Sequence, residues 1–405
     1  MYKRQLLIGG ATTSRQHTAI KILPHYSNPV IHVMDASKSV YVVSSLLSDN
    51  KDEFLEEINE EYEYLKEDYY ENLTERKYKS LVEARETKYM LNLSYLNIKK
   101  PNKIGTHILY DYDIRKFQKY INWTPFFYVW QLRGRYPNRN YPKIFDDKNV
   151  GQQAQNLFDD AQNVLNDVIE NELLQANAIF SLIKANSVGD DIELYDDDNN
   201  VVGILHGLRQ QVVSFGNEQY MCISDFIAPK SSGIDDYIGI FVTTAGIGIN
   251  KLKETYKKDL DDYKLIMIDS LADRLVEAFT EHLHEIVRKE YWGYSEDENF
   301  SISELLSEKY QGIRPATGYP MQPDHTEKEI FWKLLDVENR IGVKLTDSYS
   351  MYPAASVCGL FLSHEKSKYF NVGQICKDQI IDYSKRKKMS IIEVEKWLSP
   401  IVAYN

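Results

Sequence analysis

The sequence predicts an α+β fold, with helices laid over a mixed or antiparallel sheet and an incomplete α/β piece in front of it. Three observations carry that expectation. Apolar runs alternate with helical spacing near the N-terminus, strand-length apolar runs joined by short turns such as DDDNN dominate the middle, and long amphipathic segments flank them. The first pattern implies parallel strands, and the short turns imply antiparallel neighbours. At 405 residues the chain has room for two or three domains, each with its own core.

Residues 6–48 read as strand, glycine turn, helix, strand, helix. Leu6, Leu7 and Ile8 form an apolar run closed by Gly9 and Gly10, TTSRQHTAIKI has polar capping and helical spacing, PVIHVM is β-rich, and ASKSVYVVSSLL is helical again. These strands are too few for a complete doubly wound domain. Residues 49–86 contain no Pro or Gly, and residues 51–72 hold ten acids against two lysines. That composition predicts a solvated helical connector, with Phe54, Ile58, Tyr62 and Leu65 as a narrow apolar stripe. It reads either as a surface helix or as a lever between domains.

Beyond residue 100 a helix from Val150 to about Ala176 is followed by the strand candidates AIFSLIKA, DDIELYD, VVGILHGLR, YMCISDFIA and DYIGIFVTT. A long helix then covers 262–293. After it come the segment RPATGYP at 314–320, a helix at TEKEIFWKLLDVENR, a hairpin-like pair ASVCGLFLS and YFNVGQI, and two closing helices. The last of these opens on Ser390 and Glu393, spaced as a capping box.

Composition narrows the functional classes. The formal charge is -12 with no concentrated basic face, which argues against a nucleic-acid partner. No apolar run approaches the roughly 20 residues of a membrane span. The three cysteines, Cys222, Cys358 and Cys376, have no CxxC spacing, so no disulfide framework or zinc site is implied, and a reducing cytoplasm is expected. The start, MYKRQLLIGG, enters a buried-strand pattern with no apolar leader. His282 and His284 are two apart on a helix and point to different sides, and nothing resembles HExxH or a GxSxG elbow, so no metal site or nucleophile is expected.

Three constellations remain. A strand ending in Gly9 and Gly10 before a helix lets backbone N–H groups approach a phosphate, although a tight strand-to-helix turn needs glycine in any case. Asp273, Glu277 and Glu281, spaced by four, stack three carboxylates on one helix face. Either surrounding lysines relieve them in solvent, or a cationic ligand does. In RPATGYP the prolines fix φ and Gly318 opens a conformation closed to other residues, so Arg314 and Tyr319 leave a stiff frame in defined directions. Arg314 is then either a receptor for a ligand carboxylate or a structural partner for a neighbouring acid.

Six stretches, LIGGATTSRQHTAIKI, YINWTPFF, SDFIAPKSSG, ADRLVEAFTEHLHEIVRKEYWGY, GIRPATGYPMQPDHTEK and MYPAASVCGLFLSHEKSKYF, together resemble the C-terminal part of cobalamin-dependent methionine synthases, in the same order. The resemblance covers nearly the whole chain from Leu6 onward and excludes residues 1–5. It implies that residues 1–70 are the end of a flavodoxin-like, Rossmann-type cobalamin-binding domain, 71–100 a helical linker, and 101–405 the S-adenosylmethionine-binding reactivation domain. Gly9, Gly10 and Ala36 would then lie toward cobalamin. Arg314 would take the carboxylate of S-adenosylmethionine, with Ala316, Gly318 and Tyr319 shaping its pocket. Tyr369 and Phe370 would contact the adenosyl group, and Glu277 and Glu308 would face the sulfonium.

The chain departs from the pattern at Asn122, where Asp is frequent, and at Phe370, where a second Tyr is common. Asn122 would accept a hydrogen bond from the ligand's ammonium without supplying charge. The family's cobalt-ligating histidine sits in a DxHxxG motif that these residues lack, so cobalamin would have only a partial site here. The homocysteine, folate and cobalamin modules would lie upstream. The function implied is remethylation of cob(I)alamin by S-adenosylmethionine, after one-electron reduction of cob(II)alamin by flavodoxin or an equivalent flavoprotein. The chain would thus be an incomplete part of a methyltransferase of methionine biosynthesis. The alternative is a non-catalytic module that senses S-adenosylmethionine and docks flavodoxin.

Overall fold

A computed structural model describes residues 5–9, 13–33, 36–48, 51–75, 77–91, 98–213 and 218–404. At the N-terminus, β1 (Leu6–Gly9) and β2 (Val30–Val33) pair in parallel, with Leu6 opposite Val30 and Gly9 opposite Val33. Between them Ser14 caps α1 (Arg15–His17), accepting the His17 N–H at 3.0 Å. Then come α2 (Ala36–Leu47) and α3 (Lys51–Glu75). Ile31, Val33 and Val42 form a small core on which Phe54 and Ile58 pack. The buried Tyr62 hydroxyl accepts the His32 backbone N–H at 2.8 Å. The apolar stripe of α3 therefore docks this helix on β2, while Asp52, Glu53, Glu56, Glu57, Glu60 and Glu63 face solvent.

One continuous helix over 49–86 does not form. A second helix, α4 (Leu81–Glu86), starts at a capping box: Ser80 Oγ accepts the Glu83 N–H at 3.3 Å and the Glu83 carboxylate accepts the Ser80 N–H at 2.8 Å. Just before it the Lys79 N–H donates to the Gln211 carbonyl at 2.9 Å. Arg85 then bridges Asp190 at 2.8 Å and Asp382 at 2.7 Å. Residues inside the expected linker are thus fastened to the larger body.

That body is built from β3 (Gly105–Leu109), α5 (Trp123–Val129), α6 (Gly151–Glu170), β4 (Gln175–Val188), β5 (Asp191–Tyr195), β6 (Val201–His206) and β7 (Asp236–Ile247). Next in the chain are α7 (Ile249–Lys258), α8 (Asp262–Ile286), α9 (Ile302–Leu306), α10 (Lys328–Leu335), α11 (Val337–Ile341), the short pair β8 (Lys344–Leu345) and β9 (Met351–Tyr352), β10 (Ser356–Phe361), α12 (Lys377–Lys387) and α13 (Ile391–Leu398). Six strands form one antiparallel sheet in the order β10-β7-β4-β5-β6, with β3 beside β4. The fourteen-residue β4 serves two neighbours on one side, β3 along Ala178–Leu182 and β5 along Lys184–Val188. Alternation along β4 and β7 sends Ala178, Phe180 and Phe241 into one core, shared with α5, α6 and α8. It sends Ile179, Ile240 and Val242 into a second core under α10 to α13. The sheet is therefore covered by helices on both faces.

Several expected elements differ. The helix begun at Gly151 stops at Glu170, Glu172 takes φ 50°, and Gln175 already belongs to β4. YMCISDFIA is no strand: its apolar residues other than the half-buried Met221 are buried, but a 3₁₀ turn at Ile223–Phe226 presents Asp225 to Arg209 at 2.8 Å. TEKEIFWKLLDVENR splits into α10 and α11 at Asp336, which has φ 52°. ASVCGLFLS forms β10, whereas YFNVGQI bonds instead to Pro320 and to the chain end, through the Val372 N–H at 2.9 Å and the Ile375 N–H at 2.8 Å. Strand β3, GTHIL, was not signalled by a sequence too short to show alternation. The Ser390 capping box forms as expected.

Candidate functional site

The site begins with the reason RPATGYP lies where it does. The segment runs along the free edge of β10: the Ile313 N–H donates to the Leu362 carbonyl at 2.9 Å, and the Leu360 N–H to the Pro315 carbonyl at 3.0 Å. Pro315 has no N–H and cannot continue a ladder, so the segment makes isolated bridges, Ile313 with Leu362 and Ala316 with Gly359, rather than a strand. Gly359 permits the approach, since a Cβ there would stand 2.4 Å from the Pro315 oxygen. Gly318, at φ 96°, turns the chain back, and its N–H donates to the Gln322 carbonyl at 2.7 Å. A Cβ at 318 would meet the His325 ring at 2.3 Å. The stiff frame inferred from sequence is thus built from hydrogen bonds on both sides of the kink.

Helix α8 forms the opposite wall, and a cavity of about 880 Å³ lies between it, the kinked segment, β10 and residues 369–371. Seven expected residues line it: Glu277 on α8, Glu308 before the kink, Arg314, Ala316 and Tyr319 within it, and Tyr369 and Phe370 beyond β10. Gly318 contributes the turn. Asn122 is not brought to the cavity; its side-chain oxygen caps α5 by accepting the Thr124 N–H at 3.1 Å. At the other end of the chain, Gly9 is explained by strand pairing, because a Cβ there would stand 2.7 Å from the Val33 oxygen. Gly10 lies outside the described residues, and Ala36 opens α2.

Arg314 is only 16 % exposed in its side chain, and one terminal nitrogen donates to the Glu281 carboxylate at 2.6 Å. Another donates to the Tyr310 hydroxyl, and the Arg314 backbone N–H donates to the Tyr369 hydroxyl at 3.1 Å. Two of five guanidinium N–H groups are used in this way, and three have no protein partner among the described residues. Burial opposes the Arg314 charge, yet Glu281 beside it keeps the guanidinium's pKa above its ordinary value. Burial pushes the Glu281 carboxyl up, and the Arg314 and Arg288 charges pull against that. Burial also raises the phenols of Tyr310 and Tyr369, which stay neutral hydrogen-bonding groups.

The acidic column on α8 resolves residue by residue. Glu281 is relieved by Arg314, whereas Asp273 and Glu277 face the cavity, where burial raises the Asp273 carboxyl. Glu308 adds a further acid from a backbone at φ 54°, a left-handed conformation uncommon for a non-glycine residue. The chemistry on offer is a guanidinium tethered from behind and the three carboxylates of Asp273, Glu277 and Glu308, beside the cations of Arg274 and Lys328, around a partly apolar cavity. It fits a ligand with a carboxylate at one end and positive charge further along.

A family model described as vitamin B12-dependent methionine synthase, activation domain, matches residues 113–388. The chain belongs to this family. Among solved structures, the MetH reactivation domain bound to AdoHcy is 44% identical, over 81% of this chain and 100% of that chain, with a TM-score of 0.78. The antiparallel sheet with its covering helices is consistent with that activation-domain fold.

Sequence reasoning missed part of this activation domain's cavity. Arg274, His325, Lys328, Ser356 and Cys358 also line it. His325 and Lys328 follow RPATGYP within the stretch GIRPATGYPMQPDHTEK, which was the available signal. The Lys328 ammonium contacts His325 Nδ1 at 2.9 Å and donates to the Tyr349 carbonyl at 2.8 Å. Burial lowers the pKa of both side chains. Burial pushes the Cys358 thiol up to about 12, so it is an unreactive wall.

Proposed function

We propose that the cavity binds S-adenosylmethionine as methyl donor, with its carboxylate on Arg314 and its sulfonium facing Glu277 and Glu308. The supporting observation is the half-used Arg314 guanidinium, held at the wall of an acid-lined cavity in a chain 44% identical to an AdoHcy-bound domain. Carboxylates near a sulfonium lower its electrostatic cost in a partly desolvated site. Ala316 and Tyr319 bound the ligand on one side, and Tyr369 and Phe370 supply the aromatic surface for its adenosyl end. Reduced cobalamin, carried by a neighbouring module, supplies the nucleophile that accepts the methyl group. No side chain of this chain need move a proton, because the sulfonium is already an activated leaving group. The domain contributes binding and orientation.

Within the first 70 residues Gly9 is accounted for by its close pairing with Val33, and Gly10 lies outside the described residues. We assign that stretch to the end of a cobalamin module on resemblance alone. Because α4 and its flanks bind Asp190, Gln211 and Asp382, we place the start of the activation unit at Lys77 rather than at residue 101. A one-electron donor of the flavodoxin type completes the proposed reactivation.

Calorimetric titration of the whole chain with S-adenosylmethionine tests this reading. Arg314→Lys, which keeps charge but loses the fork, should weaken binding about tenfold, and Arg314→Ala about a hundredfold. Arg314→Ala should also cost about 3 kcal/mol of stability by leaving Glu281 buried alone. Wild-type protein that shows no binding would overturn the proposal.

A further inference from the structure

The Glu281 carboxylate lies behind the cavity wall and does not line the cavity itself. It is 4 % exposed in its side chain; one oxygen meets Arg314, and the other is buried without a partner among the described residues. As a structural device this is a poor choice, because a buried carboxylate with an unfilled oxygen costs stability. The geometry points to Glu281 as a positioning residue that sets the direction of Arg314 for the ligand carboxylate, an inference that rests on the binding reading above.

Two tethers act on the same guanidinium. Glu281 takes one end, and the Tyr310 hydroxyl takes the other. Tyr310 is itself held: the Arg288 guanidinium lies 3.9 Å from its ring centroid and is forked onto Glu298 at 2.7 and 2.9 Å. Glu298, Arg288, Tyr310, Arg314 and Glu281 thus form one rigid chain that ends at the cavity wall. An arginine left free would lose rotamer entropy on gripping a ligand, and here that ordering is complete beforehand.

Charge gives Glu281 a second effect. Glu277 and Glu308 line the same cavity, and Glu308 is close enough to act on the Arg314 charge. Without a partner behind the wall, Arg314 would turn into the cavity toward those acids. That motion would neutralise the carboxylates which face the ligand's positive charge and withdraw the fork from the ligand carboxylate. Glu281 prevents both by holding the guanidinium back.

The test compares two thioether nucleosides on the whole chain: AdoHcy, which has the amino-acid carboxylate, and 5′-methylthioadenosine, which lacks it. Glu281→Gln keeps shape and loses charge; it should weaken AdoHcy about tenfold and leave methylthioadenosine within about twofold. Tyr310→Phe removes the other tether from a residue outside α8, keeps the ring packed on His284, and should give the same selective loss, which keeps the inference testable if Glu281→Gln folds poorly. Equal loss for both nucleosides would show a purely structural role and overturn the inference. So would an unchanged AdoHcy affinity in Glu281→Gln while Arg314→Ala abolishes it, and that result would leave the binding reading standing. Wild type that binds neither nucleoside would overturn both.

Discussion

Arg314 shows how much of a site one residue can organise when its backbone is fixed before its side chain is used. Pro315 and the Ile313 pairing to Leu362 set the direction of departure, and Glu281 sets where the guanidinium ends. Asp236, at the start of β7, illustrates a different balance. Its two oxygens accept the Ala228 and Tyr237 N–H groups, each at 2.7 Å, yet burial outweighs them and pushes the carboxyl up to about 6. The unfolded chain releases this proton near pH roughly 3.9, so between that pH and about 6 the folded form binds more protons. Its contribution to stability is therefore full at low pH and falls as pH rises through about 6. Measured against Asp236→Asn in denaturant titrations, wild type should lose about 2 kcal/mol between about pH 4.5 and about pH 7. A constant difference across that range would show that the buried carboxyl titrates normally.

At the scale of elements, the site is assembled from contacts far apart in sequence, which decides what could be read beforehand. The kinked segment was legible because Pro and Gly act locally, and the carboxylate column because a spacing of four is a helical rule. The pairing of Glu281 with Arg314 was not, since it spans 33 residues and depends on where β10 puts the segment. Asn122 shows the reverse: a motif match named the residue, and in the structure its oxygen caps the start of α5 away from the cavity lining. The apolar run at 220–228 read as a strand because nothing in it announces that a fully buried Arg209 draws Asp225 into a turn. The break between α3 and α4 was written in plain sight as Ser80 and Glu83. Replacing Ser80 with alanine should cost about 1 kcal/mol, read as a lowered melting temperature, with affinity for S-adenosylmethionine unchanged. A loss of affinity would mean that α4 reaches the cavity through contacts other than its cap.

For the whole molecule, the question is where one folding unit ends and the next begins. The change from parallel to antiparallel pattern was visible in the sequence, and the boundary at residue 101 came from reading an acidic helical stretch as a tether; the start we propose at Lys77 rests on contacts that no local pattern announces. Physically, residues 77–91 belong with the large sheet. Leu81 and Ala84 are 4% and 0% exposed, the Leu81 N–H donates to Asp378 at 2.6 Å, and Arg85 meets Asp190 and Asp382. In contrast, α2 and α3 have their own core with β2, and the Lys21 ammonium reaches across to the Ser399 carbonyl at 2.7 Å on an exposed surface. A chain of residues 77–405 should therefore melt close to the full protein and bind AdoHcy with the same affinity. A chain of 101–405 should be less stable by about 3 kcal/mol, because removing α4 uncovers the apolar surface on which Leu81 and Ala84 pack. Side-by-side thermal unfolding and calorimetry of the three lengths decide the matter: equal stability of the two shorter chains would restore α4 to the linker, whereas loss of binding in 77–405 would tie the N-terminal unit to the cavity.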